Sequence, residues 1–196
     1  MATCFGQASG DAPVLLDLRK GPRGPASPEP PGPPALPPAQ NDVAAPAGAT
    51  ALFRLLASGV VVYKAATDAG GNVTGWDAGA PRADLFDEQG QPAGILYKGQ
   101  AGANNNLLVW RAPDASQVAA DLADASTKTH DAPDRAADLN WFLASAKNAS
   151  AFGAFAPVKL VQRVFTAGGQ PPPERPSAPG ASREQDFLAT YYFYKT

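Results

Sequence analysis

The side chains that most often perform catalysis are scarce in this sequence, and their spacing fits no familiar catalytic arrangement. His130 is the only histidine, Cys4 is the only cysteine, and no Gly-x-Ser-x-Gly segment occurs. Covalent catalysis needs a serine, threonine or cysteine activated by a nearby base. A lone cysteine can form neither an intramolecular disulfide nor a thiolate metal cage. We therefore expect His130 to be a surface residue and Cys4 an incidental thiol, and an enzyme ranks last among the candidate functions.

A polar stretch, residues 121–137, carries the densest group of side chains that could bind a metal ion. Its histidine and carboxylate residues include Asp121, Asp124, His130, Asp131 and Asp134. Their spacing matches neither a calcium loop nor a zinc motif. The stretch therefore predicts a solvated acidic loop with no metal ion, and weak calcium binding is the alternative.

Paired carboxylates can hydrolyse glycosidic bonds. The four candidates are Asp84, Asp87, Asp114 and Asp186. Asp84 and Asp87 are three residues apart, so on one strand they would point to opposite faces. We expect Asp87 and Asp114 to cap turns instead.

Features that bind phosphate groups are also missing. The pairs Gly70-Gly71 and Gly168-Gly169 are isolated, and neither opens a helix in a βαβ unit. The net charge is −2, the pI is about 5.3, and no basic run is long enough to follow a nucleic-acid backbone. We expect no cofactor and no nucleic-acid partner.

Gln162 and Arg163 are the polar residues that stand out, because they interrupt an apolar strand. Side chains alternate along a strand, so one of the two is expected to point into the core. A buried arginine needs a carboxylate or several carbonyls as partners. Two interpretations stay open: an internal ion pair, or an arginine that recognises the anionic group of a ligand.

Aromatic residues accompany this pair. Tyr191, Tyr97 and Trp110 are candidates for the wall of an apolar ligand pocket if a barrel is open at one end. The alternative is that they fill the core. With Arg163 and Gln162, they make up the candidate ligand-binding site.

Two strands near the end of the sequence position these residues. Residues 158–169 and 186–196 are rich in β-branched and aromatic residues, which suit a pleated surface. They can pair antiparallel across the proline-rich segment 170–184. Neither face of the second strand is plainly polar, so we place it inside a sheet or barrel rather than at an edge.

The preceding part of the chain predicts further short strands separated by turns. The expected strands are residues 50–57, 60–66, 73–76, 83–87, 94–98, 107–111 and 117–121, with a break at Ser58-Gly59 and a hairpin turn at 113–116. Residues 134–147 predict a helix, because Leu139, Phe142, Leu143 and Ala146 follow helical spacing and Asp134 suits an N-cap. The expected fold is mainly β: an antiparallel β-sandwich or small barrel with one short helix.

A proline-rich N-terminal arm, residues 1–48, precedes the expected β-rich domain of residues 49–196. The arm holds 11 of the 21 prolines, which exclude regular helix and sheet. An apolar island at residues 14–18 could anchor it to its own domain or to a neighbour. No segment approaches the ~20 apolar residues of a membrane-spanning helix, and the first residues do not have the pattern of a secretory signal.

Several segments recur in one order in a known protein family. They include Gly-Val-Val-Val-Tyr-Lys at 59–64, Ala-Asp-Leu-Phe-Asp at 83–87, Trp-Arg-Ala-Pro-Asp-Ala-Ser at 110–116, Gln-Arg-Val-Phe-Thr-Ala-Gly-Gly at 162–169 and Tyr-Tyr-Phe-Tyr at 191–194. Over residues 36–196 the chain resembles a family catalogued as a domain of unknown function, whose fungal members are often labelled malate-dehydrogenase-like. No dinucleotide-binding fingerprint supports that label here.

The resemblance implies a β-rich domain, commonly exported, with no established activity. It would favour an extracellular or cell-surface location. The chain departs from the family pattern where Leu96-Tyr97 replaces a segment containing His-Phe, where Asp114-Ala115-Ser116 replaces Asp-Gly-Ser, and where an expected cysteine after the Gly-Gly turn is absent.

The sequence favours a non-enzymatic β-domain that docks on partner proteins or self-assembles through its arm or an exposed face. The alternative is a binding module for a small apolar or carbohydrate ligand in an aromatic-lined pocket. Both hypotheses leave the partner, the ligand and the compartment open.

Overall fold

The computed structural model describes residues 31–77, 79–101 and 104–196, and within these it leaves the side chains of residues 100, 101 and 104–106 undescribed. Cys4 and the apolar island at 14–18 lie outside the described residues. Ten strands follow a 3₁₀ helix at Pro38–Val43. The strands are β1 (Thr50–Thr67), β2 (Val73–Trp76), β3 (Ala80–Phe86), β4 (Pro92–Ala101), β5 (Asn104–Arg111), β6 (Gln117–Asp121), β7 (Lys128–His130), β8 (Trp141–Lys147), β9 (Leu160–Gly168) and β10 (Ser182–Lys195).

Eight of these strands close into an antiparallel barrel. Their order around the barrel is β1, β3, β4, β5, β6, β8, β9 and β10, and β10 pairs back onto β1. Two short strands lie outside this ring, because β2 pairs only with β1 and β7 only with β8. The mainly β fold is confirmed, and of the two expected architectures the structure shows the small barrel.

The predicted pairing of the two strands near the end of the sequence is confirmed. β9 and β10 are antiparallel, with Tyr191 opposite Arg163. β10 also pairs with β1 from Thr50–Lys195 to Lys64–Ser182, so it lies inside the barrel wall and not at an edge. A strand with neighbours on both sides and buried side chains on both faces has no polar face, as its sequence indicated.

The break predicted at Ser58-Gly59 is wrong, because β1 runs without interruption through both residues. Gly59 does mark a special point in that strand. A Cβ atom built there would lie 2.1 Å from the carbonyl oxygen of Arg82 and 2.6 Å from the Cβ of Ala83 on β3. Glycine in a strand interior often allows such a close approach of two backbones.

The helix predicted over residues 134–147 is also wrong. Residues 134–138 form turns, and Trp141–Lys147 is strand β8. Phe142 and Ala144 belong to the barrel interior, while Trp141 and Leu143 belong to a second cluster on the outer surface. A strand buried on both faces has a continuous apolar run, and such a run can match helical spacing by chance.

The described part of the N-terminal arm provides the cover for that outer surface. Leu36, Val43 and Ala45 pack with Tyr192, Tyr194 and other residues on the outside of β8, β9 and β10. Within this cover, Gln162 donates a hydrogen bond of 2.7 Å from Nε2 to the Val43 carbonyl and accepts one of 2.6 Å from the Tyr194 hydroxyl. Burial raises the pKa of Tyr194 above its usual range, so this hydroxyl stays protonated and remains a donor.

The loop between β8 and β9, residues 148–159, closes one end of the barrel. The side chain of Phe155 in this loop is buried. Its ring centroid lies 5.7 Å from that of Phe53 and 5.2 Å from that of Phe193. The carboxylate of Asp114 holds the loop through the amide of Ala154 at 3.0 Å. Asp114 also accepts hydrogen bonds from Ser116 within its own turn, which confirms the predicted turn cap, and these bonds lower its pKa. We call this the plug end.

Asp87 has the other predicted capping role, which is also confirmed. Its Oδ1 accepts hydrogen bonds from the amides of Gln89 and Gln91 in the turn between β3 and β4.

Within the described residues, no helix is both long enough and apolar enough to cross a lipid bilayer.

Candidate functional site

The middle of the barrel is filled by aromatic side chains. The Trp110 ring packs edge-on against Tyr191 and Phe193, with centroids 5.1 and 5.9 Å apart, and Phe142 lies 6.4 Å from Tyr191. All four residues are buried. An eight-stranded barrel is just wide enough for side chains to fill it or for one small ligand to enter it. Any ligand must therefore occupy an end of this barrel and not its middle.

The end opposite the plug contains a cavity of about 270 Å³. Three long polar side chains line it together with small and aliphatic residues. The lining consists of Tyr63, Lys98, Arg163, Val61, Gly79, Pro81, Leu108, Leu122, Ala123 and Leu139. We call this the arginine end, and it is the candidate functional site.

Strand alternation places the three polar residues in this cavity. Tyr63 follows Val61 on β1, Lys98 follows Leu96 on β4, and Arg163 follows the buried Val161 on β9, each two positions along the strand. Residues two apart share a face, and in each case the preceding residue belongs to the barrel interior. The same alternation sends Gln162 to the outer surface.

Arg163 is only 7% exposed, and the barrel holds its guanidinium group from two sides. Nε and Nη2 both donate to the carbonyl oxygen of Asn140, at 2.9 and 2.6 Å. The guanidinium carbon lies 4.8 Å from the centroid of the Phe142 ring, which is a cation–π distance. These contacts fix the orientation of the group without neutralising its charge.

Two tyrosines lie near Arg163, and both are neutral at physiological pH. Burial raises the pKa of Tyr63 to about 12, and the charges of Arg163 and Asp77 act in opposite directions on it. The Tyr63 hydroxyl donates to the carbonyl of Gly169 at 2.8 Å. Burial also raises the pKa of Tyr191, while the nearby Arg163 acts to lower it. Among the described residues the Tyr191 hydroxyl makes no hydrogen bond of good geometry, and Arg163 is the charged group that lies near it.

Lys98 brings a second basic group to the arginine end. Its Nζ donates to the carbonyl of Gly79 at 3.2 Å. Among the residues that the structure describes, no carboxylate lies within ion-pair distance of Lys98 or Arg163, and the four ion pairs are all elsewhere. They are Arg54–Glu88, Arg82–Glu184, His130–Asp42 and Lys147–Asp124. The internal ion pair considered for Arg163 is thus replaced by a carbonyl and an aromatic ring.

The five candidates from the sequence fall in four places. Arg163 lines the cavity, and Tyr191 and Trp110 belong to the aromatic layer beneath it. Gln162 is buried on the outer surface under the arm. Tyr97 packs on the outer face of β4 to β6, near Val109. The structure therefore does not bring Gln162 or Tyr97 to the arginine end.

Sequence reasoning missed Tyr63 and Lys98. The signal that could have found Lys98 is its position in the segment Gly94-Ile-Leu-Tyr-Lys98, where it shares a strand face with Leu96. A lysine on the apolar face of a strand is unusual in the same way as Arg163. Tyr63 follows Val61 in a segment that is apolar on both faces. The sequence alone therefore does not distinguish Tyr63 from its neighbours as a cavity residue.

A larger cavity of about 450 Å³ lies at the plug end. Its walls include Leu52, Phe53, Pro92 and Phe155, and it extends to Pro31, where the described chain begins. The polar groups at its rim are already engaged: Arg54 pairs with Glu88 at 2.8 Å, and the carboxylates of Asp87 and Asp114 hold turns. We place the candidate functional site at the arginine end, where the buried Arg163 and the half-buried Lys98 have no carboxylate partner among the described residues.

The polar stretch at 121–137 does not converge on a metal site. His130 contacts Asp42 of the 3₁₀ helix at 3.0 Å, and Asp124 pairs with Lys147 at 2.7 Å. Asp134 accepts hydrogen bonds from backbone amides of its own turn. In the described part of the chain, no three histidine, cysteine or carboxylate side chains form a group that could hold a metal ion.

Comparison with known proteins bears on the family and not on the site. Searches of curated proteins and of solved structures gave no significant match. A family model with the description "Protein of unknown function (DUF3455)" matches residues 46–195, which is most of the chain and the whole barrel. The chain therefore belongs to the DUF3455 family.

Proposed function

We propose that the protein is a non-enzymatic binding module that holds one small molecule at the arginine end of its barrel. The observation that supports this function is the cavity of about 270 Å³, where Tyr63, Lys98 and Arg163 converge among aliphatic residues. Ligand sites commonly combine an apolar wall with a few polar groups that set the orientation of the ligand. The closed wall and the filled aromatic layer below the cavity restrict access to this one end.

The size of the cavity limits the ligand. A cavity of about 150 Å³ accommodates benzene, and the arginine end offers about 270 Å³. A single substituted ring or a chain of similar volume fits this space. A disaccharide or a long lipid chain is larger than this space. The volume therefore restricts the range of small apolar or carbohydrate ligands that the sequence predicted.

Obstruction of the cavity mouth tests this function. Ala123 lines the cavity and is itself exposed, so Ala123→Trp adds bulk there without entering the core. We expect the variant to keep the thermal stability of the unmodified protein and to bind small ring compounds at least about tenfold more weakly, since an indole occupies much of the entrance. Binding is measured by NMR titration with benzoate and benzamide.

Ala136→Trp is the matched control, because Ala136 is exposed in the same region but does not line the cavity. This variant should bind as the unmodified protein does. The proposed function is wrong if Ala123→Trp binds both probes as tightly as the unmodified protein does.

Docking or self-assembly through an exposed face is a second candidate. Leu56 on β1 and Leu188 on the neighbouring β10 are 45% and 54% exposed on the outer face of the barrel, and Ile95, 45% exposed, lies on the same face of β4, beyond β3. Clustered exposed apolar residues often mark interaction surfaces. We expect native mass spectrometry to find oligomers of the full chain, and Leu56→Asp with Leu188→Asp to yield monomers. A full chain that stays monomeric at high concentration contradicts self-assembly.

A further inference from the structure

We infer that the ligand of the arginine end is a small organic anion, whose anionic group is bound by Arg163, with Lys98 adding positive charge to the same cavity, and whose apolar body is about one ring in size. This inference rests on the proposed function, because it names the chemical class that the cavity selects. Each basic group donates to a backbone carbonyl, but within the described residues neither has a carboxylate that balances its charge.

The burial of Arg163 is the first observation that supports an anionic ligand. A buried charge is costly unless it is paired and hydrogen-bonded. Arg163 is 7% exposed, its Nε and Nη2 both donate to the carbonyl of Asn140, and its other near polar neighbour, the Tyr191 hydroxyl, is uncharged. One carbonyl and the ring of Phe142 compensate only part of this cost, and within the described residues no carboxylate compensates the rest.

Four carboxylates lie within two residues of a cavity residue, and each is engaged elsewhere in the fold. Asp121 accepts a hydrogen bond from the amide of Ala123 at 2.9 Å, and Asp124 pairs with Lys147 at 2.7 Å. Asp77, whose charge acts on Tyr63, accepts hydrogen bonds from the amides of Lys64 and Gly79 at 3.2 and 2.9 Å. Asp138, next to the cavity residue Leu139, accepts one from Gly168 at 2.7 Å. Asp77 and Asp138 each stabilise a turn or strand end, and none of the four carboxylates lies within 4.0 Å of a basic nitrogen in the cavity.

The tyrosines cannot act as counter-ions either. Tyr63 and Tyr191 both keep their protons at neutral pH, because burial disfavours the phenolate. Lys98 and Arg163 therefore line one cavity with the same sign of charge, and no anion from the described part of the chain lies between them. Two positive groups that line one cavity of low polarity favour the entry of an anion.

The remainder of the lining argues for an apolar body. Val61, Leu108, Leu122 and Leu139 face the same space. A hydrated inorganic ion gains nothing from these groups, whereas an organic anion places its hydrocarbon part against them and its charge against Arg163. A planar carboxylate is well matched to a guanidinium, which donates parallel hydrogen bonds in one plane.

Matched pairs of probes test the inference. Each pair has the same shape and differs only in charge: benzoate with benzamide, cyclohexanecarboxylate with its amide, and hexanoate with hexanamide. Inorganic phosphate serves as an anion without an apolar body. Titrations of the full chain are followed by NMR, through the resonances of residues that line the cavity.

We expect at least one carboxylate to bind about tenfold or more tightly than its amide, because charge-assisted hydrogen bonds are roughly twice as strong as neutral ones. Lys98→Met keeps the apolar stem and should reduce this preference severalfold. Arg163→Gln should abolish the preference for the carboxylate. If this variant does not fold, the carboxylate and amide affinities of the unmodified protein and of Lys98→Met still test the inference.

The outcomes separate the inference from the proposed function. Equal binding of carboxylates and amides overturns the inference and leaves the binding module in place. Phosphate that binds as tightly as the carboxylates overturns the part played by the apolar body, and with it the inference. Failure of all seven probes to bind overturns both.

Discussion

Gly59→Ala is expected to prevent the protein from reaching a stable barrel. The added methyl group would lie 2.1 Å from the Arg82 carbonyl oxygen and 2.5 Å from the Cα of Ala83, and both are backbone atoms of β3. Overpacking a core costs ~1–3 kcal/mol where side chains can move aside. Here the paired backbones of β1 and β3 must separate, so we expect a cost at or beyond the upper end of that range.

A domain is stable by only ~5–15 kcal/mol, so this loss should appear as a greatly lowered denaturation midpoint or as insoluble protein. Circular dichroism during urea unfolding measures it. Gly75→Ala in β2 is the matched control, since an added Cβ there has no atom within 4 Å and the backbone is not left-handed. Two variants of equal stability would show that β1 and β3 are not in close contact at Gly59.

Gln162→Leu is expected to be the most damaging change on the outer surface of the barrel. Gln162 is fully buried and joins the Val43 carbonyl to the Tyr194 hydroxyl. Leucine can make neither bond, so two buried polar groups lose their partner, at ~1–3 kcal/mol for each. We expect a loss of several kcal/mol in the free energy of unfolding, together with release of the covering segment around the 3₁₀ helix.

Urea unfolding measures the first effect, and limited proteolysis of residues 36–49 measures the second. Tyr194→Phe is the control, because it removes one hydroxyl and leaves the bond from Gln162 to Val43 intact. That variant should be less stable than the unmodified protein but should resist proteolysis in the arm. If Gln162→Leu matches the unmodified protein in both measurements, the hydrogen bonds of Gln162 do not contribute to stability or to the attachment of the arm.

The strands were predictable where the sequence alternates or where turn residues separate short apolar runs. The hairpin of β5 and β6, and the pairing of β9 with β10, were predicted from such local signals and are confirmed. Residues 134–147 were assigned wrongly because β8 is buried from both sides, by the barrel interior and by the arm. The second burial depends on residues about one hundred positions earlier, which no local window contains.

The site was predictable only in part for the same reason. Arg163 stood out because a charged residue interrupts an apolar strand, and the structure places it inside the barrel. The sequence could not show which of Gln162 and Arg163 faces inward, since that depends on which surface the barrel closes around. Tyr97 was included for its aromatic character alone, and strand alternation places it outside.

The closure of the barrel by β1 and β10 has a consequence for how the chain folds. The first and last barrel strands pair along most of their length, so this contact joins residues near 50 with residues near 195. Pairings between such distant residues slow folding, because the intervening chain must be ordered first. During synthesis on a ribosome, β1 must wait for almost the whole domain to emerge before it finds its partner. Until then the edge of β1 that pairs with β10 has no partner, and an unpaired strand edge is a template for association with other chains.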